Sequence, residues 1–338
     1  MRVAVIGLGR MGRRHVQVVR DLGMELVGLC DQSKESIDIA CKEFGAVERL
    51  CFDNGRAMLR STLPEAVVVA TTAPSHSELV LEAARSGARF ILCEKPLATS
   101  VHDANIMIAA CTGSNTVLAV NHQMQFMPQY TEVKAAAESE ELGGLVSILV
   151  SGSNFGLAMN GSHYFEMFRY LTGEPARSVE AWLDDERVPN PRGAQFEDRG
   201  GSVRVTGVRG TSMYLDCSTH AGHGLHVIYI CKYGQIFVDE LSGFMRIVRR
   251  EDAYRTLPTT RYGMPAIEYT RQIAPADVVA PTRSLWEAML AGRRFPDGLA
   301  GLHALRCLCA AHTSHNLGGI RIPIDDERID PAQHYHWA

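Results

Sequence analysis

Glu94-Lys95-Pro96 closes a short apolar run, Phe90-Ile91-Leu92-Cys93, that reads as a buried strand. Proline fixes its own φ, has no N–H and pushes the residue before it out of the helical region. The chain must turn away there. Lys95 is left at the carboxyl edge of a sheet, the place where open α/β sheets bind ligands. A surface Glu-Lys pair would look the same in isolation, so the tripeptide is weighed with its surroundings. The chain starts with an apolar run, Arg2-Val3-Ala4-Val5-Ile6, followed by Gly7-Leu8-Gly9-Arg10-Met11-Gly12 and a helical pattern over 13–19. This is G-x-G-x-x-G after a strand and opening a helix, the context that gives the motif its meaning. Gly7 allows the tight turn, Gly9 lets the backbone approach a pyrophosphate, and Gly12 lets helix pack close to strand. The helix start, with Arg10 and Met11, offers free N–H groups and the positive end of the dipole to phosphates.

A second strand, 25–30, ends at Asp31, roughly 20 residues past the glycines, where a carboxylate accepts from the adenosine ribose hydroxyls and repels a 2′-phosphate. NAD is therefore favoured over NADP. Gln32, Ser33 and Lys34 keep NADP as the lesser alternative, and Asp31 could instead serve as a turn or helix cap. A helix is expected over 34–44, then an apolar strand over 66–70 of the parallel-sheet kind. The polar loop Thr71-Thr72-Ala73-Pro74-Ser75-His76 follows at its carboxyl end. Ser75 and Glu78 read as a capping box for the next helix, which ends near Gly87. A helix over 101–111 and a strand over 116–120 lead to Asn121-His122-Gln123. Alternation of strand and helix argues a doubly wound parallel sheet, with the polar strand ends at one edge. Thr71, Thr72, Pro74, His76, Glu94, Lys95 and Asn121 thereby join the glycine loop, Asp31 and Gln32 as candidate cofactor-binding residues.

From about residue 123 the pattern changes, giving an expected division at 1–122 and 123–338. One more helix is expected over 132–141. Strand-like runs then dominate, at 145–151, 178–183, 202–206, 211–217, 225–231, 235–238 and 244–248, with Tyr233-Gly234 as a hairpin turn. The second part is thus an α+β domain, mainly antiparallel sheet, interrupted by a helix over 163–172. Helices over 284–291 and 299–314 close the chain.

The chain has 338 residues, 46% apolar and 21% charged, with a net charge of −4. That suits a soluble two-domain protein and gives no sign of a nucleic-acid or anionic-membrane partner. Nine cysteines at irregular spacing, several inside apolar runs, read as reduced, mostly buried thiols and a cytoplasmic location. No signal peptide precedes the first strand. No apolar run nears the roughly 18 residues of a transmembrane helix. His220, His223 and His226 would alternate faces if extended, and His312 and His315 lack carboxylate or cysteine partners, so no metal site is expected.

The glycine loop, Thr71 to His76, Glu94-Lys95-Pro96 and Gly161-Ser162-His163 together resemble the glucose–fructose oxidoreductase, inositol dehydrogenase and MocA-type family of NAD(P)-dependent oxidoreductases. The resemblance covers essentially the whole chain and is best over 1–175. It implies a Rossmann domain followed by an open, mainly antiparallel α/β domain whose sheet commonly forms the subunit interface, hence a homodimer or homotetramer. It implies action on sugars, cyclitols and nucleotide-sugars, with Lys95 at the reacting hydroxyl, a Lys95-Pro96 bond that is often cis, and a second catalytic group on the helix bearing His163. It also suggests that the last long helix returns to the Rossmann domain. Two positions depart from the pattern. Met159 stands where many members carry an aspartate four residues before the histidine. Gln125 stands before Phe126 where an arginine is often found.

Hydride transfer from an alcohol carbon needs a base for the hydroxyl proton and a donor for the oxygen. His163 is the natural base, and Lys95 the donor or an alternative base, its charged form disfavoured beside an oxidised nicotinamide. Asn160 could orient His163. Glu166, three residues on, is the candidate acidic partner or else a solvated helix-face carboxylate. His122 and Gln125 complete the candidate substrate contacts, for a small polyhydroxylated substrate. The expected activity is dehydrogenation of a secondary hydroxyl. The alternatives are a redox-neutral oxidation–elimination–reduction on tightly held NAD, and a non-catalytic cofactor-binding sensor.

Overall fold

The computed structural model describes residues 1–45, 48–259, 263–274 and 277–338. Six strands form the first sheet: β1 (Arg2–Ile6), β2 (Glu25–Cys30), β3 (Cys51–Phe52), β4 (Ala66–Val69), β5 (Phe90–Cys93) and β6 (Val117–Val120). Their order is β3-β2-β1-β4-β5-β6 and every pairing is parallel. All four residues of β4 are buried, which is why the strand reads as an unbroken apolar run. The order reverses between β1 and β4, so a crevice opens at their carboxyl ends. Helices α1 (Arg10–Asp21), α2 (Lys34–Phe44), α3 (Gly55–Thr62), α4 (His76–Arg85) and α5 (Val101–Gly113) connect these strands.

After α6 (Pro128–Ala137) comes β7 (Leu145–Ser151), then α7 (Ser162–Thr172) and a run of strands. These are β8 (Ala176–Arg187), β9 (Arg199–Gly207), β10 (Ser212–Asp216), β11 (His226–Cys231), β12 (Gly234–Asp239), β13 (Phe244–Arg250) and β14 (Ala266–Gln272). Helices α8 (Val279–Leu290) and α9 (Gly298–Asn316) precede β15 (Ile322–Pro323). The second sheet has nine strands in the order β14-β13-β12-β11-β7-β10-β9-β8-β15. Among the described residues, only β7 and β10 pair in parallel in this sheet. The two-sheet, mainly antiparallel second-half architecture expected from the sequence is therefore present. Along each strand, residues such as Ile148, Val150, Val203, Val205, Met213, Leu215, Val227 and Tyr229 are buried under the helices. The alternate residues form an open face, with Tyr214, Leu149, Ile228 and Phe237 in one cross-strand row.

Both late helices reach the first sheet. On α8, Leu285 and Trp286 join the apolar cluster of Val16 and Val19 on α1. In α9, a Cβ on Gly301 would sit 2.6 Å from Val120 Cγ2, so the helix lies close against β6 and only glycine fits. The other side of α9 serves β8. Ala176, Ala181 and Leu183 donate their N–H groups to His303 Nε2 (2.9 Å), Ser314 Oγ (2.9 Å) and His315 Nδ1 (3.1 Å). The two-residue β15 covers only Val179 and Ser178. The helix thus satisfies an otherwise exposed sheet edge, and His315 is a structural acceptor.

Several local expectations are corrected. Ser75 does not cap α4; it lies in a 3₁₀ turn that runs into the helix, and its Oγ donates to Thr71 Oγ1 at 2.7 Å. The expected 132–141 helix starts earlier, at Pro128, and stops at Ala137, because proline suits the first turn. The hairpin turn is Lys232-Tyr233, since Cys231 pairs with Gly234. Helix α3, capped by Asn54 Oδ1 on Ala57 N (2.9 Å), and strands β3, β14 and β15 had no sequence signal strong enough to read. The terminal tail folds within the chain. Tyr335 stacks on Trp337 (4.4 Å between centroids), Tyr335 N donates to Thr99 O, and His336 O accepts from Glu197 N.

Candidate active site

A cleft of ≈ 1210 Å³ runs along the carboxyl ends of β1, β2, β4 and β5 and reaches the start of α7. At one end, Gly7 (φ +91°) makes the turn after β1. A Cβ on Gly12 would lie 1.8 Å from Gly7 O, so α1 can approach the strand only with glycine there. A Cβ on Gly9 would meet nothing within 4 Å and would project into the open space of the cleft. No side chain caps α1, whose first residues Arg10 and Met11 line the cleft. This is a cradle open to a pyrophosphate. Asp31 ends β2 with Oδ2 accepting from Leu8 N (2.7 Å) and Oδ1 from Ser33 N (2.8 Å). The carboxylate is thus tied to the glycine loop and to a local turn at once, and Gln32 and Asp53 stand beside it in the cleft wall. Two acidic side chains here suit ribose hydroxyls and oppose a 2′-phosphate. The residues present fit NAD.

Thr71, Thr72 and Pro74 line the middle of the cleft. His76 does not; it is fully buried, with Nδ1 3.0 Å from Pro96 O and Nε2 3.1 Å from Thr71 O. The neutral ring sits between the two loops and donates its one N–H to one of these carbonyls, so its role is positional. Glu94 is also held from behind. Its Oε1 accepts from His15 Nε2 (2.8 Å) and Asn121 Nδ2 (2.8 Å). Burial pushes this carboxyl up, but those two hydrogen bonds and the nearby positive charges win and hold it down at about 2. Asn121 is buried behind Glu94 and does not face the cleft.

Lys95 precedes a cis bond to Pro96. Its Nζ donates to Met159 O in the turn ahead of α7. Burial, and then the charge of Arg192, lower its pKa to about 8, against the opposing pull of Glu94 and Asp198. Residues Leu157–Gly161 form a π-helical turn, with Gly161 N donating to Gly156 O at 3.1 Å. Asp198, from the loop between β8 and β9, accepts from Ala158 N and Met159 N, both at 2.8 Å. Burial raises its carboxyl to about 6. This loop was invisible to the motif reading. Asp198 lies 39 residues beyond Met159, yet it is the acidic group that braces the turn where position 159 itself carries none. Arg192, from the same loop, lines the cleft.

His163 lines the cleft opposite the Rossmann edge. Burial, then the charge of Lys95, push its pKa well below the usual 6.5, so the ring is neutral at pH 7. The His122 ring meets it edge-on at 5.5 Å; His122 is buried and lowered to about 3, mainly by burial. Asn160 faces the cleft but its Nδ2 donates to Phe155 O (3.1 Å), so it does not orient His163. Glu166 is corrected more strongly. It lies outside the cleft, nearly fully buried, in a two-bond pair with Arg169 (2.8 and 2.7 Å). Gln125 is buried and lines neither this cleft nor the smaller cavity beside it. Among the described residues no group of three or more His, Cys, Asp or Glu is placed to hold a metal ion.

The fold and this cleft define a Rossmann-type nucleotide-binding protein with an appended mixed-sheet domain. Residues 1–122 match the GFO/IDH/MocA family model, described as an oxidoreductase family with an NAD-binding Rossmann fold. A D-apiose dehydrogenase from Paraburkholderia graminis is 33% identical over 233 residues, covering 64% of this chain and 60% of that one. A myo-inositol 2-dehydrogenase from Thermotoga maritima is 28% identical over 54% of this chain and 58% of the relative. The chain thus matches less than two thirds of the length of these curated relatives. An oxidoreductase from Agrobacterium radiobacter, solved with NAD⁺, L-tartaric acid and magnesium, shares the fold with a TM-score of 0.79 at 18% identity, over 96% of this chain and 98% of that one. No helix among the described residues is long and apolar enough to cross a membrane.

Proposed function

We propose that this protein is an NAD-dependent dehydrogenase acting on a secondary hydroxyl of a sugar, cyclitol or nucleotide-sugar. One observation carries the reading: Lys95 and His163 line the same cleft as the glycine loop and Asp31. Residues 1–122 would hold the dinucleotide and 123–338 the substrate. Gly7, Gly9, Arg10 and Met11 would take the pyrophosphate, and Asp31 and Gln32 the adenosine ribose. Bound NAD⁺ supplies the hydride acceptor.

The lowered pKa of Lys95 alters the division of labour between the two groups. A base works best with a pKa near the working pH. Lys95 at about 8 meets that condition, whereas His163 is held well below it by burial and by the Lys95 charge. Lys95 would therefore leave Met159 O, bind the substrate hydroxyl and take its proton. Neutral His163 would hold the same oxygen in place. The names of the relatives, a D-apiose and a myo-inositol dehydrogenase, support a polyhydroxylated substrate.

The open face of the nine-stranded sheet, with Leu149 and Tyr214 exposed, supports a homodimer or homotetramer through that face. The deciding experiment is a screen of sugars, cyclitols and nucleotide-sugars for release of NADH into solution, with NADP as comparison. Release with one substrate class is expected. Transient reduction without release would move the reading to redox-neutral processing, and binding without any reduction would move it to a sensor.

A further inference from the structure

Beside the catalytic cleft lies a second cavity, of ≈ 260 Å³, lined by Met124, Met127, Tyr130, Phe155, Tyr164 and Leu225. His163 and Asn160 line both spaces. The cavity therefore adjoins the proposed reacting centre, with the residue that would hold the substrate oxygen in the wall of both.

Its walls are mainly apolar, and apart from Gln129 Oε1 and His163 Nδ1, which have no partner, most of their polar groups are used internally. Glu240 accepts from Tyr130 Oη (2.6 Å) and Tyr164 Oη (2.9 Å), one on each carboxylate oxygen. Gln129 Nε2 donates to Ala274 O (2.9 Å), and Asn160 Nδ2 to Phe155 O (3.1 Å). A hydroxyl carried into this space would give up water and find few partners. An apolar group would fill it without that loss. A cavity of about 150 Å³ lined by Leu, Ile and Phe takes benzene, so the volume here has room for a ring.

We propose that the cavity is a substrate subsite for an apolar substituent. The substrate would be a sugar or cyclitol carrying an alkyl or aryl group, or a deoxygenated edge. Its hydroxyl face would meet Lys95 and its apolar part would lie among Met124, Met127, Phe155 and Leu225. This rests on the dehydrogenase reading for the identity of the hydroxyl-bearing part, but the apolar preference itself is a property of the cavity. Hydrophobic pockets discriminate by about 10–200-fold for a group the size of a methylene.

The test uses the full chain loaded with NAD. Binding of phenyl β-D-glucopyranoside and D-glucose is compared by calorimetry at millimolar concentration, in the wild type and in Leu225→Trp and Met124→Trp, which fill the cavity from two walls. NAD affinity and cooperative unfolding report whether each variant is folded. Phenyl glucoside should bind at least about 10-fold more tightly than glucose, and each folded filling variant should abolish that margin. Equal or tighter binding of glucose, no detectable binding of the phenyl compound, or a margin that survives filling would overturn the proposal. NADH formation is followed separately with the substrate classes named above. Its absence, with the phenyl margin intact, would remove the dehydrogenase reading and leave the subsite standing.

Discussion

Lys95 is the residue on which the proposed chemistry turns. Its side chain is almost fully buried and bridges from the Rossmann edge to the turn ahead of α7. Lys95→Met keeps most of the volume and removes the amine. It should lower kcat by about 10²–10⁴-fold, the usual contribution of a positioned acid–base group, with NAD affinity little changed. His163→Asn should cost less, toward the lower end of that range, because a neutral ring that only holds the oxygen leaves the base in place. Equal turnover in both variants and wild type, on a verified substrate, would remove the assignment.

The pH profile gives a sharper check. Below about 8 the amine carries its proton and cannot act as base, so oxidation should rise with pH and level off near that value. Asp198 raises the Lys95 pKa and Arg192 lowers it. Asp198→Asn should then move the profile to lower pH and Arg192→Gln to higher pH. Shifts in one direction for both variants would contradict the charge balance described. These two residues also mark where sequence reading stopped. Gly7, Asp31 and Lys95 announce themselves by position next to strand ends. Asp198 and Arg192 sit in an irregular loop with no periodicity, and only the tertiary fold brings them to the site. Glu166 failed for the opposite reason. Its spacing from His163 was right for one helix face, but Arg169 three residues later captured it.

At the scale of elements, the parallel sheet was legible because every strand but the two-residue β3 is a short apolar run ended by a polar loop. The edge strands were not. β14 is mostly exposed and alternates weakly, and β15 is two residues long. The late helices matter more than their patterns suggested. Most of the 19 residues of α9 are buried, which blurs its polar face and leaves only length and composition to identify it. It closes β8 on one side and touches β6 on the other. Removing residues 297–338 would uncover both and would take the ring stack of the tail away with the helix. The truncated chain is expected to be insoluble on expression, whereas a soluble, cooperatively unfolding product would show that the first sheet needs no cover from α9. The open sheet face offers an independent check. Leu149 lies at its centre, exposed, and Leu149→Arg should convert an oligomer to a monomer by light scattering at micromolar concentration without loss of NAD binding. A wild-type chain already monomeric there would refute assembly through this face.

The whole molecule carries a linkage that follows from its buried histidines. His122 is lowered to about 3 and His303 to about 4, in both cases mainly by burial, and His76 is lowered for the same reason. An unfolded chain takes up protons on histidine near pH 6.5. Between that value and the lowered one, the unfolded state binds more protons than the folded state, so stability is present above about 6.5 and is lost as pH falls. His122 and His303 each cost about 1.4 kcal/mol per pH unit, hence about 2 kcal/mol at pH 5. Against a typical total of about 5–15 kcal/mol, that is a measurable share. Asp198, raised to about 6, and Glu166 and Glu240, raised by burial, act with the opposite sign over part of the same range. The total slope therefore mixes several groups, and a difference between two proteins isolates one. His303 accepts from Ala176 N through Nε2, a contact that a glutamine oxygen can keep at any pH. His303→Gln should be no more stable than wild type at pH 7. At pH 5 it should have gained about 2 kcal/mol relative to wild type, the proton penalty removed with the ring. Urea unfolding at the two pH values measures this directly. An unchanged difference between the two proteins would mean that His303 is not held neutral, and that the contact between α9 and β8 does not depend on the ring's charge state.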